Sequence, residues 1–330
     1  MRPRCGRGAS DGGIMLYIGV DIGGMSVKAG VVDAEGKILF KDAAVTNAQA
    51  PAQDIAADIA ALVRCVAERG GVSLSSLGGV GVGSPGSVND AAGVIRYSCN
   101  INFRETPLAA MLSDMLGVKN VRLSNDANCA ALGETLFGAG RGAKNSVTVT
   151  LGTGVGTGIV VDGRLLTGNQ SAGAEGGHVI IKAGGEKCGC GKRGCFEAYA
   201  SATAFMRMTA RAVERHPESY LGEVARERGI DGRTAFIAAK AGDKVAKRVV
   251  SDYIRYVGIG LVGFANVFYP EVFIIGGGIG KEGDALILPL RDFVRKNAYG
   301  AEYNPPIDVV AAALGNDAGI IGAAALAMQD

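Results

Sequence analysis

The sequence predicts an α/β protein of two similar domains, each with a largely parallel sheet flanked by helices. Short apolar runs typical of buried strands alternate along the chain with segments whose apolar residues recur at helical spacing. A unit of strand, glycine turn and strand also occurs twice: Gly23 corresponds to Gly152 and Asp33 to Asp162, an offset of 129 residues in both cases. A chain of 330 residues is long for one hydrophobic core, which agrees with two domains.

In the first part of the chain, valine-rich runs predict strands, and a longer apolar periodicity predicts helices between them. The turn at residues 21 to 24 lies between the first two strands, and the turn at residues 83 to 86 follows the third. The predicted strands lie at 16 to 20, 27 to 32, 80 to 82 and 118 to 123, and the predicted helices at 51 to 69 and 108 to 116.

The second part repeats the alternation and ends in an alanine-rich helix, which Asn316 and Asp317 are expected to cap and which we interpret as structural. We expect a small domain over residues 15 to 124, joined by the C-terminal helix at 316 to 330, and a large domain over residues 125 to 315. The predicted strands lie at 147 to 151, 159 to 161 and 272 to 275, and the predicted helices at 128 to 137, 198 to 213, 234 to 240, 243 to 268, 284 to 297 and 318 to 328.

Composition and charge exclude several classes of protein. No run of about 20 apolar residues is present, which argues against a membrane partner. Residues 1 to 14 contain three arginines and no apolar core of a signal peptide, so we expect a disordered extension and a cytoplasmic protein with free thiols. Removing these three arginines and Asp11 from 34 basic and 32 acidic residues leaves 31 of each. This neutrality gives no sign of a nucleic acid partner.

One histidine and three cysteines, His178, Cys188, Cys190 and Cys195, lie within 18 positions. Thiolate and imidazole are preferred ligands of Zn²⁺, and a closed set of four leaves no open position for substrate, so the spacing indicates a structural zinc. The alternative is a disulfide network, but three cysteines cannot pair evenly, and Cys188 and Cys190 are too close in sequence for an easy bridge.

Glycine turns directly follow three apolar strands. Such turns present backbone N–H groups with no side chain in the way, which suits phosphate oxygens; one turn alone is a weak signal, but three together predict nucleotide triphosphate binding. The turns at 23 and 152 continue into strands, so they do not fit the dinucleotide-binding pattern, and no P-loop sequence is present. The glycines concerned are Gly23, Gly24, Gly152, Gly154, Gly276, Gly277 and Gly278.

Two acidic residues are candidates for the chemistry. Asp126 follows a predicted strand and precedes a predicted helix, where the helix dipole favours the ionised form that can accept a proton from a hydroxyl. The alternative is that Asp126 is a plain structural N-cap. Asp21, in a glycine turn, is a natural oxygen ligand for Mg²⁺ or its waters. The segment from Cys188 to Cys195 contains the three cysteines, and we refer to it as the metal-binding loop. It is flanked by Glu175, His178 and Glu197, which can hold several hydroxyl groups.

These motifs, in this order and spacing, resemble the ROK family of repressors, open reading frames and sugar kinases, from about residue 16 to the end. The segments that carry the resemblance are Asp21-Ile-Gly-Gly, Asn125-Asp-Ala-Asn, Leu151-Gly-Thr-Gly-Val-Gly, Glu175-Gly-Gly-His and Cys188-Gly-Cys-Gly-Lys-Arg-Gly-Cys-Phe-Glu.

The likeness is greatest to bacterial ATP-dependent glucokinases. It implies two ribonuclease H-like domains of the actin and hexokinase type, with ATP and sugar in the cleft between them, and dimers, which are usual in the family. It also implies that Asp126 takes the proton from the sugar 6-hydroxyl. The sugar ligands that it implies are Gly86, Asn100, Asn125, Asp126, Glu175, His178 and Glu197.

The resemblance further implies that phosphates lie against Gly23, Gly24 and residues 152 to 154, which include Thr153, and that adenosine lies near residues 276 to 278. One departure is Met25, where the family usually has threonine, and Met25 cannot donate a hydrogen bond to phosphate. Two alternatives stay open: Ser26 substitutes for the threonine, or the affinity for nucleotide is lower.

Three alternatives to a glucokinase stay open. The sugar could be another hexose or N-acetylhexosamine, such as mannose, fructose or N-acetylmannosamine. A sugar-responsive repressor would need several tens of residues for a DNA-binding helix-turn-helix ahead of the first strand, where the sequence given has about fifteen. A sugar sensor without catalysis is suggested by Met25 and opposed by Asp126.

Overall fold

The computed structural model describes residues 15–329, in which two five-stranded sheets form the centres of two lobes. The predicted disordered extension at residues 1 to 14 lies outside the described residues. The first lobe contains β1 (Leu16–Ile22), β2 (Ser26–Asp33), β3 (Ile38–Val45), α1 (Ala52–Arg69), β4 (Gly79–Ser84), β5 (Ser87–Asn89), β6 (Val94–Tyr97), β7 (Arg104–Thr106), α2 (Leu108–Leu116) and β8 (Val121–Asn125).

The helix α3 (Asp126–Phe137) leads from β8 towards the second lobe. The remaining elements are β9 (Ser146–Leu151), β10 (Val155–Val161), β11 (Arg164–Leu165), α4 (Glu197–Ala200), α5 (Ala202–Arg215), α6 (Tyr220–Arg228), α7 (Thr234–Lys240), α8 (Lys244–Phe268), β12 (Val272–Gly276), α9 (Gly277–Gly280), α10 (Asp284–Asn297), β13 (Asp308–Ala311) and α11 (Ala318–Met328).

The two large sheets have the same topology. Their strand orders are β3-β2-β1-β4-β8 and β11-β10-β9-β12-β13, and in each the first two pairings are antiparallel and the last two parallel. The repeat at an offset of 129 residues thus corresponds to a repeated structural unit. The expectation of largely parallel sheets was wrong, because the connection from Ile22 to Ser26 is far too short for the crossover that parallel strands need.

Two helices lie between the sheets. The helix α11 packs on β1 and β4 of the first sheet, α3 packs on β9 and β10 of the second, and the two helices pack against each other. The approach of α11 is close enough to require glycine: a Cβ on Gly81 would lie 1.6 Å from the backbone oxygen of Ala323. The C-terminal helix is therefore attached to the first lobe, and the division of the chain into domains at residue 125 stays a prediction.

Most predicted helices have the expected bounds, and two details were wrong. The helix predicted over 198 to 213 is two helices, α4 and α5, separated at Ser201, whose side chain accepts a hydrogen bond from the N–H of Ala204 and so caps α5. Asp317 is the residue before α11 but makes no side-chain cap; its carboxylate accepts a hydrogen bond from Lys41 at 2.7 Å instead.

Each lobe has its own hydrophobic core. One buried cluster surrounds β1, β2, β4, α1 and α2, and another surrounds β9, β12, α8 and α10. Between residues 15 and 329, none of the helices combines the length and apolar character that crossing a bilayer requires.

Candidate active site

The carboxyl ends of three parallel strands in the first lobe meet at one edge of the sheet. In register, Asp21 of β1 faces Gly83 of β4, and Ser84 of β4 faces Asn125 of β8. Because parallel strands end at the same edge, Asp21 and the start of α3 are brought together although about 100 residues separate them in sequence. This edge faces the second lobe.

The turn into α3 fixes the position of Asp126. Asn125 is the N-cap: its side-chain oxygen accepts a hydrogen bond from the N–H of Ala127 at 2.9 Å, and its Nδ2 donates to the carbonyl of Gly86 at 3.1 Å. The same N–H lies 2.9 Å from Oδ1 of Asp126, which is the first residue of the helix. The capping role therefore belongs to Asn125, and the second carboxylate oxygen of Asp126 is free of the cap.

Burial raises the pKa of Asp126 above its usual value, and hydrogen bonds from the backbone N–H groups of Ala127 and of Asp126 itself, and from the side chain of Asn125, oppose that increase. Burial also raises the pKa of Asp21; Lys28, whose Nζ lies 3.8 Å from Oδ2 of Asp21, lowers it, and the nearby charge of Asp126 raises it. The site thus contains two partly buried carboxyl groups whose pKa values are shifted upward, a property typical of catalytic acids and bases.

A cavity of about 270 Å³ lies between the lobes beside Asp126. Four of the predicted sugar ligands line it: Gly86, Asn125, Asp126 and Glu175. Ser87 and Val88 complete the wall from the first lobe, and Thr157 and residues 171 to 174 complete the wall from the second. Within the described part of the chain, the other three predicted sugar ligands, Asn100, His178 and Glu197, lie outside this lining.

Asp90 was missed by the sequence analysis and lies where the two lobes meet. Its Oδ2 accepts a hydrogen bond from the Ser124 hydroxyl at 3.0 Å, and its N–H donates to the Ser171 hydroxyl of the second lobe at 3.1 Å. Its Oδ1 is buried without a hydrogen-bond partner among the residues described. Burial raises the pKa of Asp90 to about 6. A lone aspartate in a loop carries no sequence signal of this position, because both of its partners are distant in sequence.

The four predicted metal ligands form one cluster. Their ligand atoms all lie within 4.8 Å of one another; Nδ1 of His178 is 3.8 Å from Sγ of Cys188, and the sulfur atoms of Cys190 and Cys195 are 3.7 Å apart. Four atoms at roughly 2.3 Å from a tetrahedral zinc would be about 3.7 Å apart, so the donors and their spacing both fit this ion.

The metal-binding loop contacts Glu197, the first residue of α4. Oε1 of Glu197 lies 3.4 Å from Sγ of Cys188, and Oε2 accepts a hydrogen bond from the N–H of Val155 at 3.0 Å. Gly154 is needed here, because a Cβ at this position would lie 2.5 Å from Oε2. Glu197 therefore connects the metal-binding loop to the glycine turn at residues 152 to 154.

The turns at 23 and 152 connect equivalent pairs of strands, and each closes on the N–H of its first glycine. The N–H of Gly23 donates to the carbonyl of Ser26, three residues on, at 2.9 Å, and that of Gly152 to the carbonyl of Gly154, two residues on, at 3.0 Å. These two N–H groups are used inside the turns, so contacts to a phosphate must come from the residues that follow. The glycines at 276 to 278 lie beside the 152 turn, since Gly276 pairs with Thr150 in the sheet.

Met25, the departure from the family pattern, is 87% exposed, and its carbonyl accepts a hydrogen bond from the N–H of Thr46. The Thr46 hydroxyl donates to the carbonyl of Gly23 at 2.7 Å, so Thr46 stabilises the turn from the neighbouring strand. Asn100 lies opposite this turn: its Cβ would be 3.8 Å from a Cβ added to Gly24. Asn100 therefore lies beside the first glycine turn, and it is not part of the cavity lining.

Comparison with known proteins identifies relatives over almost the whole chain. The profile of the ROK family matches residues 17–330. A glucokinase from Streptomyces coelicolor is 38% identical over 321 residues, which are 95% of this chain and 98% of that protein. A xylose repressor from Caldicellulosiruptor bescii is 25% identical over 95% of this chain and 78% of the repressor.

Among solved structures, a ROK family glucokinase from Streptomyces griseus, in complex with glucose and AMPPNP, superimposes with a TM-score of 0.77 at 38% identity, covering 96% of this chain and 100% of that one. The agreement confirms the expected fold class of two α/β domains of the actin and hexokinase type.

Proposed function

The chain belongs to the ROK family, and from that premise we propose that it transfers the γ-phosphoryl group of ATP to the 6-hydroxyl of a hexose, with glucose as the preferred substrate. The observation that carries this proposal is the position of Asp126, partly buried at a helix start and lining a polar cavity between two lobes. The relatives known as glucokinases, which match over nearly the full length, agree with it.

In this reaction Asp126 acts as the general base. Its free carboxylate oxygen accepts the proton of the sugar 6-hydroxyl. At the same time the 6-oxygen of the sugar forms a bond to the γ-phosphorus, and the bond from the γ-phosphorus to the bridging oxygen breaks, which releases ADP. A well-placed base contributes about 10²- to 10⁴-fold to the rate. The raised pKa of Asp126 suits this role, because a stronger base accepts a proton more readily at neutral pH.

Glu175 and Asn125 would bind sugar hydroxyl groups from opposite walls of the cavity, which fixes the 6-hydroxyl at Asp126. His178 and Glu197 would extend the sugar site from the side of the metal-binding loop. If Nδ1 of His178 binds the metal, as its distance to Cys188 favours, then Nε2 carries the proton and can donate to a hydroxyl.

The nucleotide would lie along the glycine turns on the other side of the cleft. The backbone after Gly23 and after Gly152 would contact phosphates, and residues 276 to 278 would lie under the adenosine. Asp21, whose carboxylate is partly exposed at this edge, would hold Mg²⁺ or its waters. Mg²⁺, when bound, neutralises negative charge on the transferring phosphoryl group. The exposed side chain of Met25 leaves room for phosphate but contributes no donor.

The zinc ion would be structural. The three cysteines and His178 would supply all four of its ligands, and the bound ion would fix the loop, so that His178 and Glu197 are held in place. We place the reaction in the cytoplasm, where these cysteines stay reduced.

The decisive experiment measures ADP release for a panel of hexoses and N-acetylhexosamines with ATP, and with polyphosphate as an alternative donor. We expect the highest kcat/KM with glucose and ATP. Sugar binding without ADP release would support a regulatory role in place of catalysis, and a clear preference for another sugar would reassign the substrate.

The matched variant is Asp126→Asn, which keeps size and polarity but removes the base. We expect kcat to fall by at least about 10²-fold, with the fold and the bound zinc unchanged. A variant that retains a tenth of the activity would refute the assignment of Asp126 as the base. Asp114→Asn, a surface change on α2, is the control and should leave kcat unchanged.

We also propose that the protein acts as a homodimer through an apolar face of the second lobe. Val179, Ile180 and Val267 are 48%, 58% and 72% exposed, beside an apolar cavity of about 330 Å³ between β10, α8 and the residues before the metal-binding loop. Exposed apolar surface of this kind is typical of protein interfaces. A second copy is the occupant that the family leads us to expect.

Val267→Asp should therefore convert the protein from dimer to monomer in sedimentation velocity, because a carboxylate would be buried without a partner in the interface. Leu288→Asp, at an exposed apolar position on α10, is the control and should leave the mass unchanged. A wild-type protein that sediments as a monomer at micromolar concentration, or a Val267→Asp dimer, would contradict the assignment.

A further inference from the structure

A second concave site lies on the second lobe, behind the metal-binding loop and away from Asp126. It is a cleft of about 790 Å³ between α5 and α8, closed on one side by the segment from Lys182 to Glu186 and by Tyr199. We refer to it as the basic cleft. Its volume lies in the range that small-molecule sites occupy in proteins.

The basic cleft concentrates positive charge. Three arginines of α5 and three cations of α8 line it, together with Lys182, and the acidic residues of the lining are Glu186 and Asp252. The whole chain has a formal net charge of only +2, so this excess is local. The cations on the two helices are Arg207, Arg211, Arg215, Lys244, Arg248 and Arg255.

The spacing of these charges costs helix stability. Arg207, Arg211 and Arg215 follow one another at four-residue intervals, so each faces the next on the same side of α5, and like charges at this spacing repel. Lys244 and Arg248 repeat the arrangement on α8. A row of like charges lining one cleft is stabilised when an anion occupies that cleft.

Most of these cations lack a protein partner. Arg211 pairs with Glu186 at 2.7 Å, which lowers the pKa of that carboxyl group. One nitrogen of Arg207 donates to the carbonyl of Ala198, but its Nε is buried without a partner in the described residues. Among residues 15 to 329, Arg215, Lys244, Arg248 and Arg255 take part in none of the ion pairs.

We propose that the basic cleft binds a small molecule that carries a chain of phosphate groups. Guanidinium groups bind phosphate oxygens through paired hydrogen bonds, and a concave wall of one charge sign focuses the electric field on such an anion. Several phosphates are needed to reach both helices, since the cations lie on opposite walls. The stacked rings of Tyr199 and Tyr256, with centroids 4.5 Å apart, add an aromatic surface at the same cleft.

The phosphate chain could be free or part of a nucleotide, and these two sources differ at the aromatic wall. Inorganic tripolyphosphate offers only the charge, whereas GTP offers the same chain and a planar base that can lie against Tyr199 or Tyr256. Tighter binding of GTP would identify a nucleotide, and equal or tighter binding of tripolyphosphate would identify a free oligophosphate. Both results support the proposal.

The test is calorimetric titration of the full chain with each ligand, in phosphate-free buffer and with adenosine present in saturating amount to occupy the base site of the nucleotide cleft. Adenosine carries no phosphate group, so it leaves the cations of the basic cleft free. The variant Arg215→Gln with Arg248→Gln removes one unpaired, exposed charge from each wall. The control Arg141→Gln with Arg164→Gln removes two exposed arginines that do not line the cleft, so the net charge changes equally.

We expect one tripolyphosphate or GTP per chain in the wild type, at least about tenfold weaker binding in the cleft variant, and binding within about twofold of wild type in the control. Three results would overturn the proposal: no saturable binding in the wild type, equal affinity of wild type and cleft variant, or an equal loss in the control. None of these readouts uses sugar phosphorylation, so the proposal is tested independently of the catalytic function.

Discussion

The carboxyl group of Asp90 makes the stability of the fold depend on pH. Its pKa of about 6 is above the value of 3.8 for an unperturbed aspartate, because burial disfavours the charged form more than the serine hydrogen bonds favour it. The protonated group therefore favours the folded state. This contribution is fully present below pH 3.8 and is lost as the pH rises through about 6, so at pH 7 the ionised carboxylate destabilises the protein.

Asp90→Asn should increase the free energy of unfolding at pH 7, since the amide keeps the hydrogen bond to Ser124 without the cost of a buried charge. A shift of roughly two pKa units corresponds to about 3 kcal/mol at most, and the partial exposure of the group reduces our expectation to about 1 kcal/mol. The gain should be about half as large at pH 5. Denaturant unfolding of the variant and the wild type at both pH values measures this difference in the free energy of unfolding.

Asp114→Asn provides the reference for this measurement, because it removes an exposed carboxylate from α2. The reference should show no difference from wild type that changes with pH. An Asp90→Asn variant that is less stable than wild type at pH 7 would show that the carboxylate is stabilising in its charged form. A gain that is the same at both pH values would show that it does not come from the ionisation of Asp90.

At the scale of elements, the metal-binding loop is an irregular segment whose position depends on its ligands. Regular secondary structure is sparse between Gly177 and Glu197, and the loop is closed by single bridges from Ile180 to Cys195 and from Lys187 to Arg193. Backbone hydrogen bonds inside the loop support these bridges, such as those from Cys188 to Lys192 and from Gly194 to Glu186, and zinc, when bound, would fix the four ligand side chains relative to one another. The contact of Cys188 with Glu197 would transmit that order to the proposed sugar site.

Cys190→Ser should therefore reduce bound zinc from about one ion per chain to nearly none, and raise KM for the sugar at least about tenfold, because the support of His178 and Glu197 is lost. Zinc content and steady-state kinetics measure the two effects. Cys65→Ser, on α1 of the first lobe, is the control for the loss of a thiol. Normal sugar affinity in zinc-free protein would show that the metal has no part in the sugar site.

The elements also show what a sequence can predict. The helices α2, α7, α10 and α11 have the predicted bounds. In α10 a clear apolar period marks the helix, whereas α11 is apolar on all sides and was recognised by its alanine-rich run after Asn316 and Asp317. The helix α6 was missed although Ser219, whose side chain accepts a hydrogen bond from the N–H of Gly222, marks its start. The antiparallel pairing of β1 with β2 was also readable from their short connection.

The site could be predicted only in part. Motifs that are local in sequence, such as the metal ligands, were found because their spacing carries the chemistry. Asp90 and Ser171 were not found, since their contact joins two lobes and is set by the way the lobes meet. The closure of the turns at Gly23 and Gly152 on their own N–H groups likewise depends on backbone geometry that residue type does not specify.

At the scale of the whole molecule, two contacts join the lobes beside the cavity that Asp126 lines. Nη2 of Arg96 in the first lobe donates to Oε1 of Gln170 in the second at 2.7 Å, next to the hydrogen bond between Asp90 and Ser171. Gln170 and Ser171 have positive φ angles of 50° and 58°, a costly conformation for residues with side chains. The contacts across the cleft offset this cost and hold Ser171 at the wall of the cavity, so we expect them to favour a closed arrangement of the lobes.

Arg96→Ala should consequently raise KM for the sugar about two- to fivefold, the loss expected of one partly exposed hydrogen bond to a charged group, and should change kcat less. Gln170→Ala should have an effect of the same size, and the double variant should be no worse than either single one, because both changes break the same contact.

Arg122→Ala is the control for the comparison of single and double variants, since Nε of Arg122 donates to Oδ1 of Asn120 within the first lobe. It should leave KM unchanged. Additive effects of Arg96→Ala and Gln170→Ala, or single variants with the KM of the wild type, would mean that this contact does not hold the lobes together. Closure would then rest on Asp90 and Ser171 and on the sugar itself, since binding across the cleft also favours the closed arrangement.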